Sequence, residues 1–314
     1  MLSVIVPTRD TRELVLACLS ALEAACAPAI DAAGEVEVVV VDDASRDGTA
    51  PAVAAAFPSA RVLELEAPAG FTAAANRGLA VARGDVLLLL NSDTEVDPGA
   101  LAALRRALAA APRLGVAGAQ LHYPDGRPQW SGGPAPSLLW LVAQASGAPA
   151  LLARRLGRSP RGARGGPVDW VTGAALALRR QVIEEIGPLD ERFAFYAQDL
   201  DLCLRARQRG WEVAVVPGFR VLHHHGFSIG RAPGAVRGVQ STLLWSDLLR
   251  WAEKHRGRAW RRRAGRAIAL GSALRLAARA VRQRLLPREY QSAFREESRA
   301  LARARRAALE PPAP

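Results

Sequence analysis

Cysteine is scarce in this chain of 314 residues: only Cys18, Cys26 and Cys203 occur. Their spacing fits neither a zinc site nor a disulfide framework, so reduced intracellular thiols are expected. No apolar run approaches the roughly 18–20 residues that span a bilayer. The opening Met1-Leu2-Ser3-Val4-Ile5-Val6-Pro7 lacks the basic start and long apolar stretch of a signal peptide, so a soluble or peripheral protein is expected. There is no internal repeat. Lysine occurs once, at Lys254, and every other basic side chain apart from histidine is arginine. In so alanine-rich a chain this bias reads as genome composition rather than an arginine-specific function.

Acidic residues are nearly missing from the last quarter. Residues 231–314 hold 20 basic and 6 acidic side chains, whereas residues 1–230 hold 22 and 24. The net charge of +12 therefore resides in the C-terminal segment. Half of all residues are apolar, enough for a sizeable core in one large or two modest domains.

What is present is an alternation of strands and helices. Strands are expected at Leu2–Val6, Glu35–Val41, Arg61–Leu65 and Val86–Leu90. Helices are expected at Arg12–Ala25 (through Leu14, Leu16, Leu19 and Leu22), Thr49–Ala56, Phe71–Ala82 and Pro98–Ala110, with Pro98 in the first turn. This order implies an α/β fold with a mainly parallel sheet. From 115 to 170 the pattern weakens, and residues 157–167 read as a mobile basic loop. A strand region follows at Val168–Leu178, then helical spacing at Gln181–Ile186 and Leu200–Gln208, with a late strand at Trp211–Val216. Beyond about 235 the chain reads as helical.

Polar clusters follow the apolar segments: Pro7-Thr8-Arg9-Asp10, Asp42-Asp43-Ala44-Ser45, Asn91-Ser92-Asp93 and Gln198-Asp199-Leu200-Asp201. In a parallel sheet the first three gather at the carboxyl edge, where ligands bind. Asp93 there either caps the following turn or holds a hard cation and, through it, phosphates. Two carboxylate clusters at one edge repel unless a cation or a donor-rich ligand lies between them. Asp199 reads as a helix cap or as a general base. Asp201 and Arg205, four apart, read as a local pair.

Seven strings carry a family resemblance: VIVPTRD (4–10), VVVDDASRDGT (39–49), APAGFTAAANRGLA (67–80), LLLLNSDTEV (87–96), WVTGAALALRR (170–180), FAFYAQDLDLCLRARQRGW (193–211) and VLHHHGFSIG (221–230). In this order they resemble the family 2 glycosyltransferases of the GT-A fold, in the bacterial rhamnosyltransferase-like branch. The resemblance implies a GT-A catalytic domain over 1–235, with a nucleotide-sugar half to about 115 and an acceptor half from 116, and an Arg-rich helical extension over 236–314. It implies that Thr8 and Asp42 hold the base and ribose. Gly70 and Arg77 then lie beneath the nucleotide and near its phosphates, and Asn91 and Ser92 contact the donor. Asp93 would be the metal-binding carboxylate of the DxD-like motif, with Asn91 where many relatives have Asp. His223, five residues before Ser228, would complete the metal site ahead of His224; His225 completes the run. Trp170, Gly173 and Ala174 match the loop facing donor sugar and acceptor, and Gly173 would allow close backbone approach. Asp199 would be the catalytic base, and Gln198 stands where the family usually has Glu.

The implied activity is inverting, metal-dependent (Mn2+ or Mg2+) transfer from a nucleotide-sugar. The leading donor is dTDP-L-rhamnose, and the acceptor a lipid-linked or polysaccharide precursor in cell-envelope glycan synthesis. A non-catalytic nucleotide-sugar or membrane-surface binding module is the alternative. A nucleotidyltransferase is disfavoured, because Pro7-Thr8-Arg9-Asp10 is not a Gly-rich basic phosphate loop. In the tail, arginines interleave with Leu, Ile, Ala and Trp. That pattern suggests basic amphipathic helices at an anionic membrane surface, on the cytoplasmic face, and no nucleic-acid partner.

Overall fold

The computed structural model describes residues 1–33, 36–149, 164–193, 195–224 and 238–285, with 298–299, 301–303, 305–306 and 309 beyond them. Most of the expected basic loop, together with His225, Ser228 and much of the chain after 285, lies outside the described residues. Two compact units divide the chain. The first comprises Met1–Ala135, Ser159–Arg192 and Gln198–Arg231; the second comprises Pro136–Arg158, Phe193–Ala197 and Ala232–Pro314.

In the first unit the order begins β1 (Leu2–Thr8), α1 (Arg12–Ala33), β2 (Val36–Asp42), α2 (Thr49–Ala56), β3 (Arg61–Glu64), α3 (Phe71–Val81), β4 (Val86–Leu90). It continues β5 (Thr94–Val96), α4 (Ala100–Ala110), β6 (Leu114–His122) and β7 (Gly132–Gly133). After α5 (Leu138–Ser146), which belongs to the second unit, come β8 (Gly166–Pro167), β9 (Trp170–Val171), β10 (Ala175–Arg179), α6 (Arg180–Ile186), α7 (Gln198–Gln208) and β11 (Glu212–His223). The main sheet runs β3-β2-β1-β4-β10-β6-β11-β5. Strands β3, β2, β1 and β4 are mutually parallel, β10 is antiparallel to both neighbours, and β11 is parallel to β6.

The five apolar residues of β4 follow from burial on both faces of the sheet. Leu88 and Leu90 join one core with Val4 and Val6, under α1 and α4; Leu87 and Leu89 join the other with Ile5, Ala74 and Leu202. Successive side chains alternate faces, so a strand covered on both sides reads as a continuous apolar run. Along α1 the buried stripe is Val15, Cys18, Leu19 and Leu22, one position off the expected Leu14 and Leu16, which are half-buried. Helix α4 starts at Ala100 after Gly99 (φ 77), so Pro98 precedes the helix instead of occupying its first turn.

Gly78 fixes the approach of α3 to the sheet. A Cβ there would overlap Ile5 Cγ2 and meet Val41 Cγ2 at 3.1 Å. Gly78→Ala should lower stability by about 1–3 kcal/mol, the usual range for overpacking. Urea unfolding checks this, and an unchanged midpoint would show that α3 can lift off the sheet without cost.

In the second unit, α5 packs on the long helical stretch α8 (Gly238–Leu285), which breaks at Gly257 (φ 79, ψ 171) into 238–256 and 258–285. A Cβ on Gly271 would overlap Val142 O and meet Ala145 Cβ at 2.8 Å, so the two helices are in backbone contact there. Asp247 is fully buried in α8. Its carboxylate accepts from Phe195 N (3.1 Å), Tyr196 N (2.9 Å) and Arg250 Nη1 (2.9 Å). These bonds offset the desolvation of a buried charge.

Candidate active site

The carboxyl edge of β1, β2 and β4 lies where strand order reverses about β1, the position at which open α/β sheets bind ligands. Thr8 and Asp42 are the paired last residues of β1 and β2. A buried hydroxyl chain links this edge to the end of β4: Thr8 Oγ1 lies 2.7 Å from Thr11 Oγ1, which lies 3.1 Å from Ser92 Oγ. Asp42 accepts from Ser45 N at 3.1 Å and from the Ser45 hydroxyl. Asp10 (φ 49) and Ala44 (φ 57) take left-handed backbone in the two loops, which interlock through Asp10 N–Ser45 Oγ (2.9 Å) and Arg46 N–Asp10 Oδ1 (2.7 Å).

Asp43, which the sequence reading passed over in favour of Asp42, anchors the next loop. It accepts from Ala69 N (2.6 Å) and Gly70 N (3.0 Å). Gly70 opens α3 at φ 87, ψ 163, a conformation that suits glycine. Arg77 is exposed on α3, one residue before the sheet-facing Gly78.

Beyond β4, Asn91 N donates to Ala174 O (2.9 Å) and Asn91 O accepts from Thr94 Oγ1 (2.6 Å). Its Oδ1 is buried and takes no hydrogen bond from the described residues. Antiparallel pairing of β5 with β11 sets His223 opposite Thr94 and therefore beside Asp93. Both are buried, with His223 Nε2 3.5 Å from Asp93 Oδ1.

Gln129 orients that imidazole. Its Nε2 faces two carbonyls, His122 O at 3.2 Å and His223 O at 2.5 Å, so it must be the amide nitrogen. Its Oε1 then faces His223 Nδ1 at 3.0 Å and requires a hydrogen there. In the neutral ring this leaves the Nε2 lone pair directed at Asp93. His224 engages differently: its N–H donates to Asp93 O (2.9 Å), and its ring lies 2.7 Å from Glu95 Oε1. Among the described residues, no group of three His, Cys, Asp or Glu converges.

Asp199 lies in the first turn of α7. Its Oδ2 accepts from Gly173 N (2.8 Å) and its Oδ1 from Leu200 N (2.7 Å). Burial raises its pKa above the usual carboxylate value, against the lowering effect of these two N–H groups. A Cβ on Gly173 would meet Asp199 Oδ2 at 3.7 Å, ordinary contact. Within the protein, then, the contribution of Gly173 is its N–H rather than its size. Gln198 is buried, and its Oε1 takes no hydrogen bond from the described residues. Ala197 precedes it at φ 65, a conformation that strains a residue with a Cβ.

Ala174 is buried, while Trp170 is half-buried and stands edge-on to Trp130 (centroids 5.2 Å, 72°). Its Nε1 donates to Pro134 O at 3.0 Å. Asp201 and Arg205 do form the expected local pair, at 2.8 Å. The three cysteines are buried and free of disulfides; burial pushes the Cys18 thiol up to about 12 and raises Cys203 further, so neither is a nucleophile.

A family described as Glycosyl transferase family 2 matches residues 3–187. The chain belongs to that family. As a family 2 glycosyltransferase it is 31% identical over 242 residues to an N-acetylglucosaminyl-diphospho-decaprenol L-rhamnosyltransferase of Mycobacterium tuberculosis, covering 71% of this chain and 76% of that protein. It is 30% identical over 258 residues to the O-antigen biosynthesis protein RfbC of Myxococcus xanthus, covering 79% of this chain and 19% of RfbC. In fold it is similar to the mannosyltransferase PcManGT of Pyrobaculum calidifontis, solved in complex with GDP-Man and Mn2+. The TM-score there is 0.60 at 19% identity, over 98% of this chain and 86% of that one. The mostly parallel sheet flanked by helices is the GT-A arrangement. Among the described residues no helix of this glycosyltransferase is long and apolar enough to cross a membrane.

Proposed function

We propose that this glycosyltransferase moves a deoxyhexose, L-rhamnose from dTDP-rhamnose, with inversion onto a lipid-linked or polysaccharide acceptor in envelope glycan synthesis. Catalysis would reside in residues 1–235 and take place at the cytoplasmic membrane face. The observation that carries the reading is the placement of His223 Nε2 3.5 Å from the buried Asp93 carboxylate, with Gln129 holding the other ring nitrogen, in a chain that also carries Asp199 as a candidate base. The rhamnosyltransferase named among its relatives supports the sugar.

The buried Asp93 carboxylate and His223 Nε2, 3.5 Å apart, are a donor pair that fits a divalent cation. When bound there, Mn2+ or Mg2+ supplies positive charge for the departing diphosphate. Thr8 and Asp42, at the strand edge, receive the base and ribose, with Gly70 and Ser92 close by and Arg77 offering charge from α3. Trp170, Gly173, Ala174 and Gln198 face the sugars. Asp199 takes the proton of the acceptor hydroxyl as its oxygen bonds to the anomeric carbon. The bond from that carbon to phosphate breaks, and the nucleoside diphosphate leaves with the electron pair.

The experiment is a transfer screen of dTDP-, UDP- and GDP-sugars with Mn2+ or Mg2+ against a GlcNAc-diphosphate-lipid acceptor. Turnover is expected with dTDP-rhamnose and should be lost in EDTA. Turnover with another donor alone would replace the sugar, and full activity in EDTA would remove the cation.

A raised Asp199 pKa has a further consequence. The base works only when ionised, so the acid limb of kcat/KM should lie above the ordinary carboxylate range and fall about tenfold per pH unit below it. A limb at or below pH 4 would show that the ionised form is not penalised.

Gln129 offers a separate handle. Gln129→Leu should weaken Mn2+ binding by about 10–100-fold, the usual cost of losing a group that orients a ligand histidine. Titration of Mn2+ by its effect on melting temperature checks this.

A further inference from the structure

The second segment of α8, residues 258–285, shows a segregation of charge along one exposed ridge. At 100° per residue, Arg262, Arg263, Arg266, Leu270, Leu274 and Val281 fall on one side of the helix. Leu270, Leu274 and Val281 are 56%, 53% and 64% exposed. Ala264, Ile268 and Ser272, around the other side, are buried. The ridge is thus basic at its first end and apolar at its second, over about 30 Å of helix. No acidic residue occurs in the sequence between Glu253 and Glu289. Arg258 and Arg261 pair with Glu253 at 3.4 and 3.2 Å, whereas Arg262, Arg263 and Arg266 have no ion pair among the described residues.

We propose that this ridge is a docking surface for an anionic lipid bilayer, with Arg262, Arg263 and Arg266 on lipid phosphates and Leu270, Leu274 and Val281 entering the acyl boundary. The inference deepens the membrane-side reading of the tail and does not depend on the identity of the sugar. Three exposed large apolar side chains on one helix side are a burial opportunity that water leaves unused. The neighbouring guanidiniums select what buries them, because a surface with phosphates at its rim and hydrocarbon beneath satisfies both halves. A second copy of this chain would bring the same arginines together with no acid between them. A nucleic acid would pair with the arginines and leave the leucines in water.

The test is flotation of the full chain with vesicles of phosphatidylcholine alone or with 30% phosphatidylglycerol. Binding is expected only with the anionic lipid and should fall in high salt as the charges are screened. Arg262→Gln, Arg263→Gln and Arg266→Gln together should weaken it about a hundredfold, near fivefold per charge. Leu270→Ser, Leu274→Ser and Val281→Ser together should abolish retention while circular dichroism stays unchanged. Both variants should keep wild-type transfer to a soluble acceptor, which separates this surface from the catalytic reading. Three results would overturn the proposal: equal flotation with neutral and anionic vesicles, unchanged binding by either triple variant, or a solution dimer dispersed by the serine variant whose lipid binding is intact. RNA added in excess should compete only with the arginine contacts; complete displacement of vesicles that the serine variant still binds would also contradict it.

Discussion

Asp199→Asn should lower kcat by between about a hundredfold and ten-thousandfold, the range for removing a positioned general base, while donor affinity stays within about twofold. Asparagine fills the same volume, but its single amide oxygen can accept from only one of the two N–H groups, Gly173 or Leu200, that the carboxylate serves. What disappears is the site that takes the acceptor proton. Fold stability offers an independent check with a defined sign. Burial raises the Asp199 pKa, so the folded state holds its proton more tightly than the unfolded chain. That costs stability as pH rises through the interval between the unfolded and folded values, and the cost persists at neutral pH. The asparagine variant escapes it. Because it also gives up one of the two backbone hydrogen bonds, the test is the pH trend: its melting temperature relative to the wild type should be higher at pH 7 than below the unfolded carboxylate value of about 3.9. Normal turnover by this variant would remove Asp199 as the base.

Asp93→Ala should lower kcat/KM by about a thousandfold or more. A metal that stabilises a departing diphosphate supplies several kcal/mol, and each 1.36 kcal/mol or so is tenfold in rate. The variant also has a readout independent of turnover. Mn2+ at about a hundred times its dissociation constant stabilises a folded protein by about 2.7 kcal/mol. For a unit of this size that is roughly 5–10 °C in melting temperature. The wild type should show this shift, and the Asp93→Ala protein should not. An equal shift in both would place the cation elsewhere.

The sequence made some parts of this protein plain and concealed others. Strands β1, β2 and β4 are legible because they are covered on both faces where they carry the runs Val4–Val6, Val39–Val41 and Leu87–Leu90. Strand β6 is not, because packing forces glycines into it. A Cβ on Gly115 would meet the Trp211 ring at 2.9 Å, and one on Gly118 would meet Val171 at 2.5 Å. Tertiary contact there overrides strand propensity. Asp42, Asp93, Asp199 and His223 stood out because each sits within a dense polar cluster in a recognisable order. Gln129 did not: it lies in a Pro- and Gly-rich stretch, and its contact with His223 spans 94 residues. Asp247 was hidden for a different reason. Its spacing from Arg250 reads as a surface pair, whereas the carboxylate is fully buried on the backbone of Phe195 and Tyr196. Asp43 was masked by its neighbour, since an Asp-Asp doublet does not reveal which member ties down the next loop.

The most direct measurement is the anomeric configuration of the product, read by NMR after transfer from a nucleotide-sugar of known configuration. A single in-line displacement assisted by Asp199 gives inversion. Retention would require a second displacement or a front-face path and would contradict the assignment of Asp199 as the base of a one-step transfer.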